Sequence, residues 1–117
     1  MVSVLHILDM AGVPSILSFY YNKFKDKSEL NCHLKNSFSR SISEFYQGRK
    51  YKKFRKLLVS SFFQSFNFDV IHIHGAEILV PIFKITGKRI VLHYHGSDIN
   101  EREKSQKKWR VICRSMA

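Results

Sequence analysis

Asp69-Val-Ile-His-Ile-His-Gly75 and Arg89-Ile-Val-Leu-His-Tyr-His-Gly96 are the stretches whose reading decides the fold of this chain. Each is a short apolar run closed by a glycine. Strands of a parallel sheet read this way because helices cover both of their faces. Between the two runs, Ile78, Leu79, Ile82 and Phe83 continue at helical spacing, and Gly87 is placed to end that helix. Upstream the same grammar repeats. Residues 2–8 (VSVLHIL) form a third apolar run, and residues 9–13 turn around Gly12. Pro14 suits the first helical position, and Ile16, Leu17, Tyr20, Tyr21 and Phe24 make a helix-period stripe. Strands alternating with helices predict an α/β fold, a Rossmann-like parallel sheet with helices on both faces.

The intervening segments are less explicit. Residues 30–34 read as a second strand and residues 40–46 as a short helix. Residues 49–66 read as a longer helix, with Tyr51, Phe54, Leu58, Phe62 and Phe66 on one face and cations on the other. From residue 100 onward a charged, helix-compatible segment carries Trp109, Val111 and Ile112. The whole, residues 1–117, reads as one domain that stops in the middle of a unit.

Composition narrows the class. With 44% hydrophobic residues the chain can bury a core, which excludes a disordered protein, and 5 Gly with 2 Pro exclude a collagen-like one. A formal charge of +11 predicts attraction to phosphates or anionic head groups. Cys32 and Cys113 have no CxxC spacing and are too few for a disulfide framework, so a reducing, cytoplasmic setting is expected. The apolar N-terminus lacks the basic segment of a signal peptide, and Asp9 interrupts it. No apolar run reaches the ~18 residues of a membrane span. The expected location is cytoplasmic, or peripheral on the inner face of the membrane.

Ligands of open α/β sheets sit beyond the carboxyl ends of the strands. Three strands here end on glycine loops, at Gly12, at His74-Gly75 and at His95-Gly96. A single glycine there makes a tight turn; three at equivalent positions point to a site, because each lets a backbone N–H approach a ligand. His72 and His74 share one face of their strand, as do His93 and His95. A His-x-His pair can ligate a metal, but no carboxylates or cysteines cluster beside these, so no metal site is expected. His72 and His93 read as core histidines. His95 stands at a strand end beside Gly96, Ser97 and Asp98, where polar groups can reach a bound ligand. Arg49, Lys50, Lys52, Lys53, Arg55 and Lys56 form a basic stretch: a solvated helix face, or a helix lying on anionic lipid with Tyr51, Phe54 and Phe62 at the interface. No nucleic-acid motif accompanies the charge, so no specific nucleic acid is expected.

The two histidine-bearing strands, with the opening Val4-Leu-His-Ile-Leu-Asp-Met-Ala-Gly-Val13, resemble the N-terminal domain of glycosyltransferase family 4. The resemblance runs along most of the chain and is least specific over residues 25–66. It implies one half of a GT-B architecture, in which two Rossmann-like domains face each other across a cleft. It places Gly12 near the donor diphosphate and His95, as the catalytic-side histidine, near the transferred sugar. His74, Gly75, Gly96 and Asp98 would shape the acceptor side, with Ser97 beside them. The family uses nucleotide-diphospho-sugar donors, retains anomeric configuration and needs no bound metal or other cofactor. Its C-terminal donor-binding domain, with a Glu-x7-Glu motif, is not among these 117 residues. The expectation is therefore the acceptor-binding half of a retaining glycosyltransferase acting on a lipid-linked or polysaccharide acceptor, with the donor domain supplied by a longer chain or a partner chain. The alternative is a non-catalytic basic module that binds anionic membrane or nucleic acid; a metal-dependent hydrolase ranks third.

Overall fold

The structure is a computed structural model, and it describes residues 2–9, 12–24, 27–33, 48–94 and 108–117. Five strands form one parallel sheet: β1 (Ser3–Ile7), β2 (Lys27–His33), β3 (Arg49–Tyr51), β4 (Val70–His74) and β5 (Arg89–His93). Their spatial order is β3-β2-β1-β4-β5. The chain winds outward in one direction from β1 and then in the other from β4. That order is the doubly wound, Rossmann-like α/β arrangement, with its topological switch between β1 and β4.

Four helices accompany the sheet among the described residues: α1 (Val13–Lys23), α2 (Phe54–Ser65), α3 (Val80–Lys84) and α4 (Lys108–Ser115). A 3-10 turn, Glu77–Leu79, leads into α3. Register decides which side chains share a face. His6 pairs with His72 and Ile7 with Ile73, so the odd-numbered residues Leu5, Ile7, Ile71 and Ile73 project together. They pack with Ile90 of β5, Leu57 of α2, Phe68, Leu79, and Val80 and Phe83 of α3 as the main core. Full burial of a Leu, Ile or Phe contributes about 1.5–3 kcal/mol. The opposite face carries His6, Ser28, His72 and His74, and α1 lies over its β1–β2 side.

α1 turns most of its apolar stripe away from the sheet. Its sheet-facing residues are Pro14, Ser15 and Ser18, whereas Ile16, Tyr20, Tyr21 and Phe24 are exposed, Phe24 at 73%. Small side chains let the helix sit close to the sheet, and hydroxyls find partners there. Ser28 Oγ donates to Ser18 Oγ at 3.0 Å, and Ser15 Oγ donates to Asp9 Oδ2 at 2.7 Å. Asn22 locks the far end, accepting from Ser28 N–H at 2.9 Å and donating to Ser28 O at 3.2 Å.

The basic stretch is also rearranged. Residues 49–66 are not one helix. Arg49–Tyr51 form β3 beside β2, Lys52 and Lys53 turn, and α2 begins at Phe54. Strand pairing outcompetes helix propensity here, since β3 satisfies its backbone against Asn31, Cys32 and His33. Along α2 the buried positions are Leu57, Ser61 and Ser65, so the aromatic stripe is offset from the buried face. Leu58, Phe62 and Tyr51 are partly buried beside the core, while Phe54, Phe63 and Phe66 are exposed. Asn31 of β2 holds α2 in place, donating from Nδ2 to Ser61 Oγ at 2.8 Å and to Gln64 Oε1 at 3.1 Å. β2 runs from Lys27, earlier than residue 30, and the short helix expected over residues 40–46 lies outside the described residues.

Candidate functional site

In a parallel sheet all strands end at the same edge, and here that edge gathers the chain's unusual chemistry. Immediately after β1, Leu8 adopts a left-handed backbone at φ 69°, a conformation that a branched side chain adopts at a cost of about 1 kcal/mol or more. Its N–H donates to Asn31 O at 2.9 Å, which holds it there. Asp9 follows, 2% exposed, and takes one early N–H of α1. Ser15 N–H donates to Asp9 Oδ1 at 3.4 Å while its hydroxyl binds Oδ2. The positive end of α1 thus already faces a carboxylate. Gly12 caps that helix at φ 73°, where any other L-residue would be strained.

β4 ends on His74, and Gly75 follows at φ 72°, its N–H donating to His93 O at 2.8 Å. Two residues on, Glu77 is 4% exposed and pairs with Arg110 of α4, Oε1 to Nε 3.7 Å. This ion pair fastens α4 across the end of β4.

Four imidazoles occupy the face opposite the main core: His6 of β1, His72 and His74 of β4, and His93 of β5. His6 and His74 are wholly buried; His72 and His93 are half-buried. His6 Nδ1 lies 3.1 Å from His74 Nε2, so one ring donates an N–H to the lone pair of the other. His72 and His74 have ring centroids 4.1 Å apart, and His72 stacks on His93 at 5.5 Å with planes inclined 12°. Burial, followed by repulsion from any charge on His72 or His93, pushes the pKa of His6 down from 6.5 to about 3. The His6 ring is therefore neutral at physiological pH. At the other end of the strands, Asp69 is held below the usual carboxylate range, first by the Ser3 N–H and then by the Ser3 hydroxyl, both on Oδ2.

Of the residues expected from sequence to line a site, His74 ends β4, Gly75 follows it, and Gly12 caps the helix that follows the neighbouring strand β1. His95, Gly96, Ser97 and Asp98 lie outside the described residues. Arg49, Lys50, Lys52, Lys53, Arg55 and Lys56 are all exposed, but only Arg55 and Lys56 stand on a helix. Arg49 is engaged with Glu29, NH2 to Oε2 3.6 Å. Tyr51, expected at a lipid interface, is instead tied to Ser60 Oγ at 2.6 Å through its hydroxyl. Sequence reasoning passed over His6, because its neighbours are set by the register of β1 against β4. The repeated apolar-His-apolar pattern of both strands was the available signal.

The fold defines the class: a doubly wound α/β protein with its topological switch between β1 and β4. No family model, curated protein or solved structure matches the chain.

Proposed function

We propose that this chain is the acceptor-binding half of a retaining sugar transferase, which holds a lipid-linked or polysaccharide acceptor while a donor domain presents a nucleotide-diphospho-sugar. The observation that carries the reading is the β1–β4 edge, which bears the Gly12 and Gly75 loops, with the half-buried imidazoles of His72 and His93 beside the buried rings of His6 and His74. Half-buried imidazoles suit hydroxyl-rich ligands, since a ring in its neutral form both donates and accepts. The Asp9 carboxylate on the N-terminus of α1 favours a hydroxyl-bearing ligand there over a second anion, which supports an acceptor role more than donor binding. His95 belongs to the same proposal as the group nearest the transferred sugar, with Gly96, Ser97 and Asp98 around it.

The test is an NMR titration of the isotope-labelled chain with short glycans, sugar phosphates and nucleotide-diphospho-sugars. The reading expects amide shifts at Gly12, Gly75 and residues 93–98 with glycans. Shifts confined to residues 49–56, or none with any carbohydrate, would overturn it.

A second reading rests on the surface of β3 and α2. Lys52, Lys53, Arg55 and Lys56 surround exposed Phe54 and Val59, with Phe63 and Phe66 further along α2. Cations interleaved with exposed aromatics fit a membrane surface, either as the docking face of the transferase or as the whole function of a basic binding module. Among the described residues no helix is long and apolar enough to cross a membrane.

A further inference from the structure

We propose that His6, His72 and His74 form a binding site for a divalent transition-metal ion, with zinc, cobalt or nickel as the fitting class. This goes beyond sugar transfer and stands or falls independently of it. One nitrogen from each of the three rings can be chosen so that all lie within 4.8 Å of one another. A tetrahedral zinc with Zn–N bonds of ~2.0–2.1 Å holds its nitrogens roughly 3.4 Å apart. His6 Nδ1 and His74 Nε2, at 3.1 Å, already stand close to that spacing. Small rotations about side-chain torsions of half-buried His72 bring the third ring in.

A second observation points to a missing ligand. His6 is wholly buried, yet its Nε2 has no hydrogen-bond partner among the described residues. Whichever ring donates in the His6–His74 contact, His6 keeps Nε2 as a polar atom whose lost hydration nothing among the described residues offsets. A metal on His6 Nε2 would replace the hydration that this atom lost on burial, whereas a metal on Nδ1, beside His74 Nε2, would leave Nε2 a buried N–H.

The donor set selects the ion. Three imidazoles and no carboxylate suit zinc, cobalt, nickel or copper and disfavour magnesium and calcium, which require oxygen ligands. Three protein ligands leave a fourth position open, and half-buried His72 gives the site its side toward solvent. The rigidity is built in, since all three ligands sit on adjacent paired strands and not on loops.

The experiment uses the untagged, chelator-stripped full chain titrated with cobalt(II) and zinc(II) under calorimetry, with the cobalt d–d spectrum recorded at each step. The expected result is one equivalent bound with a dissociation constant below 10 micromolar (about 10⁻⁵ M) and an intense tetrahedral-type cobalt spectrum. His72→Gln, at the half-buried position, is expected to weaken binding at least tenfold (about 1.4 kcal/mol). X-ray absorption of the zinc-loaded native chain, which needs no variant to fold, is expected to count three imidazoles at ~2.0–2.1 Å. Binding that His72→Gln leaves unchanged, a shell with one imidazole or none, or no saturable binding would each overturn the proposal.

Discussion

His6 and His74 meet nitrogen to nitrogen at 3.1 Å between adjacent strands, each ring fully shielded from solvent. The burial that this contact reflects, followed by charge on His72 and His93, holds the pKa of His6 down, and the first prediction follows from it. The folded chain keeps His6 neutral down to about pH 3, whereas an unfolded imidazole takes its proton near 6.5. Unfolding therefore takes up a proton between those values. Stability is fully present above pH 6.5 and falls as the pH drops toward 3, by up to ~1.4 kcal/mol per unit for one group. Asp69 acts in the same direction in the carboxylate range, because its depressed pKa also favours the fold only while it is ionised. Urea midpoints of the chelator-treated chain at pH 7.5, 6, 5 and 4 would trace the decline. His6→Leu should flatten it, and an unchanged slope in that variant would place the acid sensitivity elsewhere.

The seating of α1 makes a second prediction. Ser18 is buried against Ser28, while Tyr20 and Phe24 face outward. Ser18→Leu should destabilise the chain by roughly 1–3 kcal/mol through overpacking. Tyr20→Ser and Phe24→Ser should fall within about 0.5 kcal/mol of the native chain. Denaturant melts of the three variants rank the faces directly; the opposite ranking would mean that the aromatic stripe packs inward.

Two glycines give a third. A Cβ on Gly48 would lie 2.7 Å from the Leu30 carbonyl oxygen and 2.9 Å from Leu30 Cβ, so Gly48→Ala must push β3 away from β2. Gly87, at φ +69°, has open space around it, and Gly87→Ala meets only backbone strain of about 1 kcal/mol. Gly48→Ala is expected to lose more stability and to increase hydrogen exchange at residues 49–51, with Gly87→Ala leaving that exchange unchanged.

The basic surface gives the fourth. Sedimentation with vesicles rich in anionic lipid should carry the native chain down, and the combined Lys52→Glu, Lys53→Glu, Arg55→Glu and Lys56→Glu chain should stay in solution. Each cation near an anionic surface contributes on the order of 1 kcal/mol, fading with salt. Binding that persists at high salt should depend on Phe63, 67% exposed, and not on Tyr51, which is tied to Ser60. Loss of high-salt binding in Phe63→Ser but not in Tyr51→Phe would confirm that division. Equal vesicle binding by the native and four-glutamate chains would exclude this surface, and tight binding to duplex DNA alone would favour the module reading.

Legibility in the sequence follows hydropathy and not burial, since it extends to β5, an outer strand with Arg89 and Val91 exposed. β1, β4 and β5 announce themselves because each is a nearly unbroken apolar run, and Gly12, Gly75 and Gly87 mark turns that do adopt left-handed backbones. β3 was hidden because Arg49-Lys50-Tyr51 is too short to show a period and continues without a break into a helical pattern. The face that α1 buries leaves no mark in the hydropathy pattern, because the close approach to the sheet is made by small residues, Ser15 and Ser18. His72 and His74 were visible as a pair, but His6 joins them only through strand register, which no local pattern encodes.

Among the described residues β3 and β5 are the outer strands of the sheet. A strand with a free edge is a template on which another chain can polymerise. β3 offers little to such a template. It is three residues long, and in an antiparallel pairing centred on this strand the exposed Lys50 ammonium would face the Lys50 of a second copy, while a one-residue shift would set Arg49 against Lys50. β5 opens on exposed Arg89 and turns Val91, 42% accessible, outward further along. Arg49 and Lys50 therefore have a bearing on colloidal behaviour that is separate from any ligand: they disfavour the addition of a further strand at the β3 border of the sheet.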